Sequence, residues 1–198
     1  MSEKVNKNEV FLRGKNITLK ALTEDDVLNS DWYGWFNDEE TTKDLQKHYF
    51  PNTRERQLEF YRSEVVNNPG KLQLGICDAK GGPIIGVVSL NNIDPINRKA
   101  EISMIIGEAE YRKAHYVIEV FRLILSHGFN TLNLFRIYGG SLNKDLVEFI
   151  CRIVGASKEG ILRKDVYKNG EYRDVYLYGI LSEEYRATRR PDAEEETA

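Results

Sequence analysis

Cysteine is scarce in this sequence, and long apolar runs and an excess of positive charge are missing from it. Two cysteines, Cys77 and Cys151, occur in 198 residues, too few for a disulfide framework, so we expect a reducing, cytoplasmic setting. No apolar run approaches the ~20 residues that cross a bilayer, and the polar first residues hold no signal-peptide core. The formal net charge of −3 supplies no basic field for nucleic acid. We therefore expect neither a membrane nor a nucleic acid as partner.

Histidine is scarce as well. The three histidines, His48, His115 and His127, show no metal-ligand spacing with the cysteines, so we expect no metal site. What is present is a chain that is 41% hydrophobic and 30% charged. This is the ordinary balance of a globular domain that is large enough to bury a core.

The spacing of apolar residues along the chain predicts an α+β domain. Segments with the spacing of strands and segments with the spacing of helices follow one another without regular alternation. The predicted strands are Val10–Leu22 with a turn at Gly14, Lys71–Ala79, Pro83–Ile93, Arg98–Gly107, Leu134–Gly140 and a pair around the Asn169-Gly170 turn. The predicted helices are one capped by Thr23, then Asn52–Val66, a stretch ending near Leu132, and Asn143–Gly155. We expect residues 10–181 to form the single domain, residues 1–9 to be flexible, and residues 182–198 to be a flexible, charged tail.

The stretch "EYRKAHYVIEV", Glu110–Val120, begins like a loop that holds a phosphate at the start of a helix. Unpaired N–H groups and the positive end of the helix dipole suit an anion there. The turn nevertheless has no glycine where close backbone approach to a ligand would favour one. From these residues alone it is a working cofactor loop, an altered one or a plain helix start.

The segment from Ala100 to Gly160 resembles the GNAT superfamily of acetyl-CoA-dependent N-acyltransferases, in the branch that contains the ribosomal-protein N-acetyltransferases. The matching residues are Ala100-Glu101-Ile102, Glu110-Tyr111-Arg112, Glu119, Phe129-Asn130, Asn143, Gly155 and Glu159-Gly160. The opening "FLRGKNITLKALTEDD" and the closing "NGEYRDVYLYGIL" fit the same branch. The likeness covers most of residues 10–181.

This resemblance implies a GNAT fold, a mixed and mostly antiparallel sheet of six to seven strands with helices on both faces. Its fourth strand, Lys99–Ile106, and its fifth, Phe135–Tyr138, would splay apart, and the pantetheine of acetyl-CoA would lie between them. The implied cofactor-binding residues are Met104, Ile105, Ile106, Arg112, Lys113, Ala114, His115, Tyr116, Val117 and Asn143. The resemblance also implies a small-molecule amine as substrate and edge strands that can pair into a homodimer.

The implied activity is an N-acetyltransferase, in which an amine attacks the thioester carbonyl. A backbone N–H near Met104–Ile106 would stabilise the oxyanion. Glu101 and Ser103 alternate on one face of a strand, so we interpret Glu101 as the base and Ser103 as the holder of a water. The alternative for Glu101 is an ordinary surface acid, and Asn143 either bonds the pantetheine or simply caps a helix.

Two departures from the family pattern stand out. The loop positions that are small in the family are His115 and Val117 here, so cofactor binding is either altered or lost. The family tyrosine that protonates the leaving thiolate becomes Cys151 when the segment is aligned on Gly155, and Ile150 when it is aligned on Asn143. A cysteine there is either a weak acid or a small buried hydrophobe.

The acceptor is predicted from "DWYGWFNDEETTK", Asp31–Lys43, which is similar to acetyltransferases of nucleotide-linked amino sugars. Trp35 and Asn37 are the residues expected to contact it. A protein amino terminus is the competing acceptor. The alternative to an enzyme is a GNAT-fold binding or scaffold protein that has lost acetyl-CoA.

Overall fold

One eight-stranded sheet organises the chain in the computed structural model, which describes residues 10–45 and 49–188. The strands are β1 (Val10–Arg13), β2 (Ile17–Ala21), β3 (Leu72–Asp78), β4 (Ile84–Asp94), β5 (Lys99–Ile106), β6 (Arg136–Ser141), β7 (Ser157–Lys168) and β8 (Glu171–Leu181). Their order in space is β1-β2-β3-β4-β5-β6-β8-β7. Neighbouring strands are antiparallel except β5 and β6, which run parallel. The sheet has one strand more than predicted because the turn at Gly14 divides the first predicted strand into two.

Helices cover both faces of this sheet, as predicted. They are α1 (Glu24–Asn29), α2 (Trp32–Trp35), α3 (Glu39–Thr42), α4 (Arg54–Phe60), α5 (Ala114–Asn130), α6 (Lys144–Val154) and α7 (Ser182–Ala187), and α4 continues as a π-helical turn, Tyr61–Val66. The larger core, around Ile102, Ile124 and Ile137, lies on the face of α5 and α6. A second core, which contains Trp32 and Ile105, lies on the face of α1, α2 and α4. The α+β prediction is confirmed.

Several element ends follow from local sequence chemistry. The Thr23 hydroxyl accepts from the Asp26 N–H while the Asp26 carboxylate accepts from the Thr23 N–H, a capping box at the start of α1. Gly155 ends α6 in the left-handed region, at φ 73°. Asn169 and Gly170 both have positive φ, 52° and 86°, as a two-residue turn between β7 and β8 requires.

The parallel pair β5–β6 is short, and the strands then separate. Only three residue pairs are in register, Lys99–Arg136, Ala100–Ile137 and Glu101–Tyr138. Residues 102–106 of β5 continue without pairing to β6. The splay predicted from the family resemblance is therefore present, and it opens at residue 102.

The predicted charged tail begins later than expected. Residues 182–187 form α7, and Tyr185 is 5% exposed and stacks on Phe129 with ring centroids 4.9 Å apart. The prediction of a flexible segment is wrong for these residues, because one aromatic side chain anchors them to α5. Residues 1–9 and 189–198 lie outside the described residues, so the predictions for them stay predictions. Within the described ranges no helix has both the length and the apolar character to cross a membrane.

Glu119 ties α5 to the β1–β2 turn. Its carboxylate accepts from the Asn16 backbone N–H at 2.9 Å and from the Asn16 side-chain amide at 2.8 Å. A Cβ on Gly14 would overlap this carboxylate, so the close approach depends on glycine. Burial raises the pKa of Glu119, but the hydrogen bonds from Asn16 and its neighbours lower it more, and the net pKa lies below the usual value. Glu119, one of the family-matching residues, thus has a structural role.

We expect Glu119→Gln to destabilise the fold by about 1.5–3 kcal/mol at neutral pH, the range for a hydrogen bond to a charged group. Because the folded pKa is lowered, this stabilisation is present above the unfolded pKa and is lost as pH falls through the folded value. Urea unfolding at neutral pH and below pH ~4 should therefore show the variant's deficit shrinking in acid. Glu59→Gln, at an exposed position of α4, is the control. An equal deficit at both pH values would contradict the assignment.

Candidate active site

The gap between β5 and β6 presents backbone groups that have no strand partner. The Gly107 N–H donates to the Ile85 carbonyl at 2.9 Å. This bond shows which residues of β5 direct their N–H groups toward β4. In such a ladder every second residue faces its partner strand and the others face away. Met104 and Ile106 therefore direct their N–H groups toward the gap.

Ile105 was predicted as a cofactor-binding residue together with these two, but its backbone N–H faces β4 and not the gap. Its N–H is directed toward Val87 of β4 in the register of the ladder. Its side chain is 8% exposed and belongs to the second core. The candidate oxyanion donors are therefore narrowed to Met104 and Ile106.

The start of α5 offers two further unpaired donors. Lys113 is the N-cap and makes no side-chain capping bond. The N–H groups of Tyr116 and Val117 donate to the Lys113 carbonyl, whereas those of Ala114 and His115 have no acceptor in the described parts of the chain. Free N–H groups at a helix start are the groups that hold an anion.

The missing glycines do not distort this loop. No residue from Arg112 to Val117 has a positive φ, so the conformation is open to any L-residue. The Val117 side chain packs against the larger core, away from the free N–H groups. The exposed His115 ring lies on Tyr116, with centroids 4.1 Å apart. Both departures from the family pattern are thus accommodated, and cofactor binding by this loop stays a prediction.

The Arg112 side chain is engaged by the protein itself. Its guanidinium donates to the carbonyls of Ile106 at 3.0 Å and Gly107 at 2.6 Å, and to the Thr41 hydroxyl at 2.6 Å. Arg112 thereby binds the carboxyl end of β5 and connects it to α3. Arg112 was predicted to bind the cofactor, but its side chain stabilises the loop before α5 through these hydrogen bonds within the protein.

Glu101 and Ser103 lie side by side at the base of the gap, on the same face as Ile105. The Ser103 hydroxyl accepts from the Asn91 amide at 2.9 Å, and the Glu101 carboxylate accepts from the Asn92 amide at 3.3 Å. Glu101 is half-buried and Ser103 is exposed. The predicted alternation is confirmed, and the two catalytic roles stay predictions.

Asn143 and Cys151 lie on or next to α6, across the gap from β5. The side-chain Oδ1 of Asn143 accepts from the Leu146 N–H at 3.0 Å, and its side-chain amide donates to the Asp44 carboxylate at 3.0 Å. The predicted helix cap is confirmed. Cys151 is half-buried against the larger core, and burial raises the pKa of its thiol. Ile150, the other aligned position, is a core residue at 4% exposure.

The two predicted acceptor residues have structural partners. Trp35 is 4% exposed, and its indole N–H donates to Glu108 at 3.1 Å. Asn37 makes two hydrogen bonds to the backbone of Asn52, at 2.7 and 2.8 Å. Contact of either residue with an acceptor stays a prediction, and both hold the surrounding helices in place.

The predicted acceptor region Asp31–Lys43 overlaps the segment Asp38–Asp44, which we call the acidic segment because it carries four carboxylates and one lysine. Sequence reasoning singled out Trp35 and Asn37 in that region and missed these carboxylates. Thr41 accepts from Arg112 before α5, and Asp44 accepts from Asn143 before α6. The buried Lys168, from the β7–β8 turn, donates to the carbonyls of this region on Thr42 and Leu45. The acidic segment therefore crosses the mouth of the gap.

Within residues 10–45 and 49–188, no three histidine, cysteine, aspartate or glutamate side chains gather in a way that could hold a metal ion.

Known proteins resemble this chain in both sequence and fold. A family model described as "Acetyltransferase (GNAT) domain" matches residues 16–146. The spermidine N(1)-acetyltransferase of Escherichia coli is 31% identical over 116 residues, 58% of this chain and 60% of that protein. YdaF of Bacillus subtilis, named as a candidate ribosomal N-acetyltransferase, is 28% identical over 109 residues, 54% of this chain and 59% of that protein. The chain thus spans about three-fifths of the length of these curated relatives.

A solved structure shares the fold over nearly its whole length. It is the spermidine N-acetyltransferase of Vibrio cholerae in complex with CoA and spermine, with a TM-score of 0.78 and 24% identity. The alignment covers 87% of this chain and 99% of that one. At this identity the match concerns the fold alone.

The close contact between Gly107 and the Trp35 ring, beside the gap, can be tested by mutation. A Cβ on Gly107 would overlap the indole ring, so we expect Gly107→Ala to cost about 1–3 kcal/mol by overpacking and Trp35→Ala to cost about 3–5 kcal/mol. The double variant should lose less than the sum, because the small side chain leaves room for the new methyl group. Urea unfolding of all three gives the coupling. Gly34→Ala, where a Cβ meets nothing within 4 Å, is the control, and additive losses would contradict the contact.

Proposed function

Because the chain belongs to the acetyltransferase (GNAT) domain family, we propose that it transfers an acetyl group from acetyl-CoA to a primary amine of an aliphatic polyamine. The family resemblance predicted from the sequence is confirmed by this membership. The amino-sugar acceptor predicted from the sequence has no support among the relatives, and a polyamine replaces it in this proposal.

The observation that supports this acceptor is the acidic segment at the mouth of the gap. Asp38, Glu39, Glu40 and Asp44 gather there within seven residues, on the side of the sheet that Glu101 faces. A polyamine carries several ammonium groups at neutral pH, and carboxylates are the groups that pair with them. The names of the Escherichia coli and Vibrio cholerae relatives point to the same substrate class.

The described residues also fit acetyl-CoA. The free N–H groups of Ala114 and His115 would hold the pyrophosphate at the start of α5. One of the two outward N–H groups, from Met104 or Ile106, would pair with an amide of the pantetheine arm, as an open strand edge pairs with a peptide. When bound, the thioester supplies the activated acetyl group.

The remaining chemistry falls to side chains at the base of the gap. Glu101 takes the proton of the attacking amine, directly or through a water on Ser103. The other of these two β5 N–H groups donates to the carbonyl oxygen as its charge grows. The hydrogen bonds of Arg112 and of the acidic segment fix the elements on either side of the gap, so that amine and thioester meet in a fixed orientation.

We expect acetyl-CoA to stabilise the protein against thermal unfolding, by about 2.7 kcal/mol at 100 times its dissociation constant. Free CoA should raise the thermal stability nearly as much, and ATP should not raise it.

In a thiol-release assay, spermidine should support turnover at a lower KM than a monoamine of similar length, because only the polyamine reaches the acidic segment.

The alternatives predicted from the sequence are outcomes of the same assay. Turnover with amino-terminal peptides and none with spermidine would replace the polyamine with a protein acceptor. Turnover with a nucleotide-linked amino sugar and with no other amine would support the acceptor that was predicted from the sequence. No stabilisation by acetyl-CoA at millimolar concentration would leave a binding or scaffold protein without this cofactor.

Glu101→Gln should lower kcat by about 100-fold or more, the usual contribution of a positioned base, with acetyl-CoA affinity retained. Amide and carboxylate have the same shape, so the hydrogen bond to Asn92 can persist. Steady-state kinetics with spermidine and calorimetry with acetyl-CoA give the two quantities, and Glu59→Gln again serves as control. An unchanged kcat would remove Glu101 as the base.

A further inference from the structure

We propose that the Tyr178 hydroxyl donates a hydrogen bond to the sulfur of the departing CoA thiolate, a role for which the sequence alignment offered only Cys151. This inference rests on the proposed function, since it concerns the leaving group of that reaction. It assigns a catalytic residue that the sequence motif does not contain.

The position of Tyr178 carries the proposal. Tyr178 lies on β8 directly opposite Gly139 of β6. Its hydroxyl oxygen and Cζ lie 2.7 and 2.8 Å from the point where a Cβ on Gly139 would be, and the Ile102 carbonyl lies 3.1 Å from the same point. The ring therefore passes over β6 at a residue without a side chain. Its hydroxyl ends close to Ile102, where β5 leaves β6.

That point is the inner end of the gap. Ile102 is the first residue of β5 without a partner on β6. It lies four residues from Ile106, about 13 Å at the rise of a β-strand. A pantetheine arm paired with one of the outward β5 N–H groups, of Ile106 or Met104, would therefore run inward toward the Tyr178 hydroxyl.

The surroundings keep Tyr178 a donor. The residue is 6% exposed, and its pKa is raised by burial first and then by the nearby Cys151 and Glu101. The phenol therefore keeps its proton at neutral pH. Its hydroxyl has no hydrogen-bond partner in residues 10–45 and 49–188, so the donor is available to a ligand.

Cys151 is the weaker candidate on chemical grounds. A thiol is a poor hydrogen-bond donor compared with a phenol. Cys151 lies near Tyr178, so both groups are at the same end of the gap. The phenol is the better hydrogen-bond donor of the two.

The step balances without any further reactant. The amine nitrogen forms a bond to the acetyl carbon, the carbon–sulfur bond breaks, and its electron pair goes to sulfur. The proton of the amine goes to Glu101. The thiolate leaves with the Tyr178 O–H as hydrogen-bond donor and takes its own proton from water on release.

The test compares Tyr178→Phe with the wild-type enzyme in two measurements. Phenylalanine keeps the ring over Gly139 and removes only the hydroxyl. The ultraviolet absorbance of the thiolate in bound CoA, titrated against pH, should show a thiol acidity at least tenfold higher in the wild type than in the variant. With spermidine, kcat should fall by about 10- to 100-fold at an unchanged KM for acetyl-CoA, the loss for one hydrogen bond to a charged group.

Two further variants separate the possible causes. Tyr176→Phe, two residues away on the same strand and half-buried, should leave both measurements unchanged. Cys151→Ala should change kcat less than Tyr178→Phe. A larger loss in Cys151→Ala, with Tyr178→Phe near wild type, would overturn the proposal in favour of the thiol.

The outcomes distinguish this proposal from the proposed function. If the wild type binds CoA and acetylates an amine while Tyr178→Phe matches it in kcat and thiol acidity, Tyr178 is excluded and the function stands. If the wild type binds no CoA, the function and this inference fail together. Should Tyr178→Phe not fold, the wild type alone decides, because a bound CoA thiol no more acidic than free CoA overturns the role of Tyr178.

Discussion

The short parallel contact between β5 and β6 is the constraint on which the rest of the molecule depends. Three residue pairs join the strands, and the contact then ends at Glu101–Tyr138. Beyond it, the polar groups of β5 face a gap inside an otherwise continuous sheet. Unpaired backbone groups in a protein interior cost free energy unless something satisfies them. Arg112 already binds the Ile106 carbonyl, and the remaining donors make this gap a place for a ligand with amide groups.

Three glycines leave space for larger side chains from other elements of the fold. Gly14 leaves space for the Glu119 carboxylate, Gly107 for the Trp35 ring, and Gly139 for the Tyr178 ring. Each missing Cβ places a long side chain against the backbone of another element. The first contact fixes α5, the second fixes the wall formed by α2, and the third brings a phenol to the inner end of the gap.

The acidic segment connects the two helix starts that flank the mouth. Hydrogen bonds from Arg112 and Asn143 reach Thr41 and Asp44 of this one segment. Lys168 adds bonds from the β7–β8 turn. A ligand that binds the acidic segment therefore contacts a part of the chain that also holds the groups proposed to bind acetyl-CoA. Under the proposed function, the acidic segment would therefore connect the binding site of the amine to that of acetyl-CoA.

The sequence by itself determined the α+β class, the capping of α1 by Thr23, the turn at Asn169-Gly170, the family, and the strand that carries Glu101 and Ser103. These features depend on local chemistry and on residue spacing, which a linear sequence displays directly. The tertiary structure decided which way Ile105 faces, how Val117 avoids the helix start, and that Trp35 and Asn37 have partners within the protein. It alone brought Tyr178 to Gly139 and the acidic segment to Arg112, because such contacts join residues that are distant along the chain and depend on strand register and packing.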